Sequence, residues 1–167
     1  MENLIEIVNK LQDIMLKASA NSKVKLPQMV VVGSQSSGKS SIIETIVGKE
    51  ILPRGTGIVT RRPLILQLKH ISNSLSEWGE FNHIEGKKFE KFSEIKEEIE
   101  RDTAKIAGNN KGISHIPIIL KIYSSQVVDL TLIDLPGLVN IAVGDQPKNI
   151  DCQVRDLILE YIRNPNS

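Results

Sequence analysis

Cysteine is almost missing from this 167-residue chain. Cys152 stands alone, so no internal disulfide can form, and a reducing, cytoplasmic setting is expected. Excess charge of either sign is missing too. Twenty-one Lys and Arg against 20 Asp and Glu leave a formal net charge of +1, which provides no long-range attraction for nucleic acid or for an anionic lipid surface. Long apolar runs are also lacking: the longest reach about six residues, where a spanning helix needs roughly 20. The opening "MENLIEIVNK" is acidic and amphipathic, unlike a secretory leader. Any membrane contact is therefore expected to be peripheral. The length suits one domain or part of one.

Hydrophobic spacing divides the chain into alternating elements. Leu4, Ile7, Val8, Leu11, Ile14 and Met15 recur at three- and four-residue steps, which predicts an amphipathic helix over 2–18. Its other face mixes Glu2, Glu6, Lys10, Asp13 and Lys17, a pattern suited to packing on other helices more than to a lipid surface. "PQMVVVG", "RRPLILQLKH", "IPIILKIYS" and "VVDLTLID" read as four buried strands. Helical patterns follow the first strand, from Lys39 to Val47 with Gly48 as the stop, and the fourth. In the latter Val154, Leu157, Ile158, Tyr161 and Ile162 share a face until Asn164 and Pro165 end it. Between the second and third strands, "FSEIKEEIERDTAKIAG" reads as a helix with Ser93 as N-cap and Gly108 as C-cap. Glu94, Glu97 and Glu98 lie near its positive end, and its acidic run reads as a solvated face. Trp78 reads as a packing residue of the insertion before that helix. This alternation predicts an α/β fold, a three-layer, mostly parallel sheet flanked by helices. Such sheets commonly have five or more strands, so a count of four predicts a sheet left incomplete on its C-terminal side.

"GSQSSGKS", Gly33 to Ser40, lies between the first strand and the helix that begins at Lys39. Gly33 and Gly38, followed by Lys39 and Ser40, meet the P-loop pattern in its strand, loop, helix setting. Glycine lets the loop turn its backbone N–H groups toward phosphates, and the helix start adds its positive end. Lys39 is then placed for the β- and γ-phosphates and the Ser40 hydroxyl for Mg²⁺. "LIDLPG" carries a second signal, since Asp134 ends an apolar strand and Gly137 follows three residues later. The carboxylate would hold a Mg²⁺-bound water, and the Gly137 N–H would meet the γ-phosphate. Thr60, in "LPRGTGIVTRRP", either completes the Mg²⁺ shell and senses the γ-phosphate or is a plain surface threonine; spacing does not choose between them. His70, His83 and His115 show no metal-ligand spacing and read as surface or strand-end residues. Cys152 reads as inert.

Together, "VVVGSQSSGKSSIIETIVGKEILPRGTGIVTRRPLILQL", "GNNKGIS", "LTLIDLPGL" and "VGDQPKNIDCQVRDLILEYIRNPNS" resemble the N-terminal GTPase region of dynamin-related large GTPases. The branch most resembled acts in mitochondrial and peroxisomal fission and vacuolar sorting. The resemblance covers almost the whole chain. It implies a P-loop NTPase domain over 26–167, cut off after the second switch helix, with 1–20 as the first helix of the bundle that links the domain to a stalk. It further implies Mg²⁺-dependent hydrolysis of GTP to GDP and phosphate. Self-assembly through the GTPase domain and the stalk, peripheral association with a membrane that is remodelled, and microtubule binding are implied with it.

Carried over by position, Gln35 resembles the residue that helps place the attacking water, and Ser36 the one that binds a charge-compensating monovalent cation, K⁺ or Na⁺. Gly55 and Gly57 match the loop whose carbonyls complete that cation site. Lys39, Ser40, Thr60, Asp134 and Gly137 match phosphate and Mg²⁺ positions, and Gly33, Ser34, Ser37, Gly38, Ser41 and Arg54 match further nucleotide contacts. Two departures stand out. Asn140 takes the place of a lysine that many relatives carry, so switch behaviour is expected to differ. The family's guanine-reading Thr-Lys-x-Asp element is absent from these 167 residues. An ATP-using P-loop protein and a nucleotide-binding assembly module without hydrolysis are the competing readings.

Overall fold

The computed structural model describes residues 28–55, 60–72, 75–108, 112–138 and 148–163. The helix expected over 2–18, together with Gly57 and Asn140, lies outside them. There are eight elements in chain order: β1 (Gln28–Val31), α1 (Lys39–Val47), β2 (Leu64–His70), β3 (Trp78–Phe81), α2 (Phe92–Ala107), β4 (Ile118–Ser124), β5 (Leu130–Asp134) and α3 (Ile150–Ile162). This is the α/β alternation read from hydrophobic spacing.

The strands form one five-stranded sheet in the order β1-β5-β2-β4-β3, one strand more than the four predicted. The unforeseen strand is "WGEF", too short to show an alternation of its own and interrupted by glycine. Tertiary contacts make it a strand. Trp78 stacks on Tyr123 of β4 with ring centroids 5.0 Å apart and planes 14° from parallel. Gly79 lets α2 approach: a Cβ there would lie 2.6 Å from Ile95 Cδ1. The β1/β5 and β2/β4 pairings are parallel, and the β5/β2 and β4/β3 pairings are antiparallel.

Register sorts the side chains onto two faces. Leu66 lies between Leu132 and Leu120, and Leu68 between Leu130 and Ile122. These residues share a core with Ile43, Ile46 and Val47 of α1 and Ile95 and Ile99 of α2. Because successive strand residues point to opposite faces, Ile65 and its partner Ile133 turn the other way. They meet Ile150, Val154 and Ile158 of α3. The result is three layers, with α1 and α2 on one face and α3 on the other. Truncating a fully buried member such as Leu66 to alanine would cost ~2–5 kcal/mol.

Helix ends fix the path of the connecting loops. α1 stops at Gly48, whose left-handed φ of 74° lets its N–H reach the Glu44 carbonyl at 2.8 Å. Gly108 closes α2 with its N–H on the Ala104 carbonyl, at a positive φ of 72° but with an extended ψ. The N-cap of α2 is Lys91, without a side-chain cap bond, so Ser93 falls inside the first turn. The acidic run of α2 is a solvated face only in part: Glu97 and Glu100 are exposed as expected, but Glu98 and Asp102 are only 5% and 8% exposed. Their charges are met from within the fold: His83 and Arg101 contact Glu98, and Arg62 contacts Asp102. No helix among the described residues is long and apolar enough to cross a membrane.

Candidate functional site

The chain leaves β1 at Val31 and enters α1 at Lys39 through the glycine-rich loop. Two residues in the loop take left-handed backbone, Gly38 with φ 89° and Ser36 with φ 62°. A non-glycine residue there is uncommon and costs of order 1 kcal/mol unless its surroundings enforce it. Gly38 caps α1 without any side-chain hydrogen bond. The first N–H groups of α1, which have no partner within the helix, are thus not covered by a cap side chain, and the positive end of the helix dipole lies at this loop. Lys39 starts the helix, and its ammonium donates to the Ser34 carbonyl at 3.2 Å.

The segment after β5 closes over the loop. Leu138 N–H donates to the Gly33 carbonyl at 2.9 Å, and Gln35 N–H to the Leu138 carbonyl at 3.1 Å, extending the β1/β5 pairing by a parallel bridge between Ser34 and Leu138. Gly137 is buried within this contact. A Cβ on it would lie 2.8 Å from both Gln35 N and Gln35 Cα and 3.0 Å from Lys39 Nζ. Glycine is required here because the two backbones touch, a reason the spacing of "LIDLPG" does not reveal.

Asp134, the last residue of β5, is 3% exposed. Its Oδ2 accepts from the Thr60 hydroxyl at 3.3 Å, whereas Oδ1 is buried with no hydrogen-bond partner among the described residues. Burial pushes the Asp134 carboxyl up to about 6, against the opposing pull of the Lys39 charge, the Thr60 hydroxyl and the Leu135 backbone N–H. A buried anion with an unsatisfied oxygen is costly. A divalent cation or its bound water would meet that oxygen and return the group to its ionised form. The oxygens of Asp134 and Thr60 that meet here are of the kind that Mg²⁺ takes. A cavity of about 20 Å³ between Thr60, Arg62, Thr103 and Asp134 has room for one water molecule.

Residues 29–167 match the sequence profile of the dynamin family. The chain belongs to that family. It is 55% identical over 179 residues to a dynamin-1-like protein of Danio rerio, an alignment that covers all of this chain and 26% of the fish protein. It is 56% identical over 163 residues to the dynamin of Drosophila melanogaster, covering 98% of this chain and 18% of that protein. A dynamin-related protein of Saccharomyces cerevisiae is 48% identical over 205 residues, with coverage of 99% and 27%. The chain thus spans about a quarter or less of these relatives' lengths.

Within this dynamin-family domain, the residues singled out in the sequence are not all gathered in one place. Gly33, Ser34, Gln35, Lys39 and Gly137 are joined through hydrogen bonds, in part by way of Leu138, and through close backbone contact, while Asp134 and Thr60 form a second pair whose carboxylate lies within reach of the Lys39 charge. Thr60 is half-buried beside the carboxylate, so it is not a detached surface threonine. Ser36 and Ser37 are exposed in the loop, with Ser40 partly covered and Ser41 exposed at the start of α1. Gly55 is exposed. Arg54 is directed to α1, where its guanidinium bonds Glu44 Oε2 at 2.5 Å and lies 3.9 Å from Glu50. Glu44 is buried and also accepts from the Ile51 and Leu52 N–H groups at 3.1 and 3.0 Å, so it holds the chain as it leaves α1. Motif and spacing did not single out Glu44, Arg61 or Arg62. Arg61 and Arg62 pair with groups distant in sequence, Glu44 pairs with the chain that leaves its own helix, and only an apolar setting for a charged residue, as at "IIETIV", hinted at any of them.

Proposed function

We propose that this chain binds GTP with Mg²⁺ and hydrolyses it to GDP and phosphate, and that the whole protein couples this to self-assembly and to remodelling of a membrane with which it associates peripherally. The observation that carries the reading is the buried, half-unsatisfied Asp134 carboxylate, set against the glycine-rich loop by Gly137 and bonded to Thr60. That arrangement suits a site where a metal ion and a terminal phosphate are held together.

In this reading the N–H groups of the loop and of the start of α1 bind the phosphate oxygens, and Lys39 leaves the Ser34 carbonyl to contact the β- and γ-phosphates. Ser40, Thr60 and Asp134 would hold Mg²⁺, which when bound supplies charge neutralisation at those phosphates. Gln35 orients the attacking water. Ser36, with Gly55 and Gly57, would hold K⁺ or Na⁺, which supplies the compensation that an arginine finger brings elsewhere. Loss of the γ-phosphate frees the Gly137 N–H and Thr60 together, so the loops that follow them are released at the same step.

The test is phosphate release and nucleotide binding in Lys39→Ala. The change removes charge-assisted hydrogen bonds worth roughly 1.5–3 kcal/mol each, and triphosphate binding should be lost. Undiminished binding of a fluorescent triphosphate would overturn the assignment. Tight binding without Mg²⁺-dependent phosphate release by the wild-type chain would favour a non-hydrolysing assembly module.

A further inference from the structure

Arg62 follows Thr60 by two residues and is 4% exposed. A buried guanidinium needs a counter-charge and acceptors for its donors. Arg62 finds both in one direction. Its Nη1 bonds Asp102 Oδ2 at 2.6 Å and the Asp102 carbonyl at 3.0 Å, its Nε bonds the Ile116 carbonyl at 2.9 Å, and its Nη2 bonds the Pro117 carbonyl at 3.2 Å. Arg61 reaches toward the same elements, bonding the Ala107 and Gly108 carbonyls at the end of α2 at 3.1 and 2.7 Å and the Gly112 carbonyl at 2.9 Å. On the far side of the loop, Glu44 of α1 holds Ile51 and Leu52. The connection that carries Thr60 is therefore anchored at both flanks, to α1 before it and to α2 after it.

A buried ion pair of this kind contributes little net stability, because desolvation offsets its attraction, but it fixes which groups meet. The planar fork of arginine sets direction as well as charge, and lysine cannot reproduce it. We propose that the Arg62/Asp102 pair is a positioning element for Thr60. It holds β2 at the depth that brings the Thr60 hydroxyl to Asp134, and so acts on the metal- and γ-phosphate-dependent steps without touching nucleotide. The proposal rests on the reading of Thr60 and Asp134 as metal-site residues.

The experiment measures di- and triphosphate affinity with and without Mg²⁺, and kcat against KM for phosphate release, in the full chain carrying Arg62→Met, Arg62→Lys or Asp102→Asn. Diphosphate affinity should stay within about twofold, while the Mg²⁺-dependent preference for triphosphate falls about tenfold in Arg62→Met and Asp102→Asn and less in Arg62→Lys, with kcat falling more than KM changes. An unchanged preference in folded variants, or an equal loss of both affinities, would overturn the proposal. Where a single variant fails to fold, Arg62→Met combined with Asp102→Leu leaves no unpaired buried charge and decides by the same ratio. Failure of that double variant to fold would make the pair structural and refute the positioning role. Thr60→Ala and Asp134→Ala separate the two ideas. If they keep the triphosphate preference, the metal-site reading fails; if they lose it while the pair variants keep it, only the positioning role fails.

Discussion

Replacing Asp134 by asparagine should make the metal-free protein more stable while weakening its Mg²⁺-dependent preference for triphosphate. The carboxyl stands at an ordinary value of 3.8 in the unfolded chain and at about 6 in the fold, with burial as the main cause. Each pKa unit corresponds to ~1.4 kcal/mol, so the ionised group costs the folded state about 3 kcal/mol above neutral pH. Because the folded chain holds this proton more tightly, stability from this residue is present at low pH and is lost as pH rises from about 4 to about 6. The cost is roughly half its full size at pH 5 and nearly vanishes below pH 4. Asparagine keeps the shape and the Thr60 contact without the charge. The unsatisfied position at Oδ1 is then present in both proteins and largely cancels. A gain of about 2 kcal/mol at pH 7.5 corresponds to roughly 4–8 °C in Tm for a chain of this size. Thermal melts in EDTA at several pH values are the assay. The variant should melt higher at pH 7.5, the gap should close toward pH 4, and excess Mg²⁺ with triphosphate should raise the wild-type Tm more than the variant's. A variant no more stable at pH 7.5, or a gap that does not change with pH, would refute the assignment of an unpaired buried charge.

Gly137→Ala should shift the glycine-rich loop, because its Cβ would lie 2.8 Å from the Gln35 backbone. A loss of about 1–3 kcal/mol in stability is expected with a tenfold or greater loss of diphosphate affinity, and unchanged affinity by titration would contradict the close approach. Turnover should require K⁺ or Na⁺ and should fall in Ser36→Ala; full activity in buffer free of both ions counts against the cation role. Titration calorimetry of this 167-residue chain should find GTP and ATP bound with similar, weak affinity, since it contains no Thr-Lys-x-Asp element. A guanine preference above roughly a hundredfold, about 2.7 kcal/mol, would mean that the base is read from within these residues.

Local pattern was enough to place the glycine-rich loop between a strand and a helix, Asp134 at the end of an apolar strand, and the strands and helices whose apolar spacing is regular. Each of these depends on neighbours within a few residues, which a single sequence displays. The glycine stops of α1 and α2 were legible for the same reason. What local pattern could not settle was set by partners distant in the chain. "WGEF" is a strand because Tyr123 and Ile95 pack against it. Ser93 lost the cap position to Lys91, since helix ends depend on how the preceding chain enters. Glu98 and Asp102 look like solvated helix charges until His83 and Arg62 are brought to them. Thr60 was undecided because 74 residues separate it from Asp134. The sequence alone determined which residues make up the glycine-rich loop and the aspartate that ends its neighbouring strand, through motifs whose atoms are neighbours along the backbone. Only the tertiary structure decided how they are held, because burial and charge pairing depend on distances that packing creates.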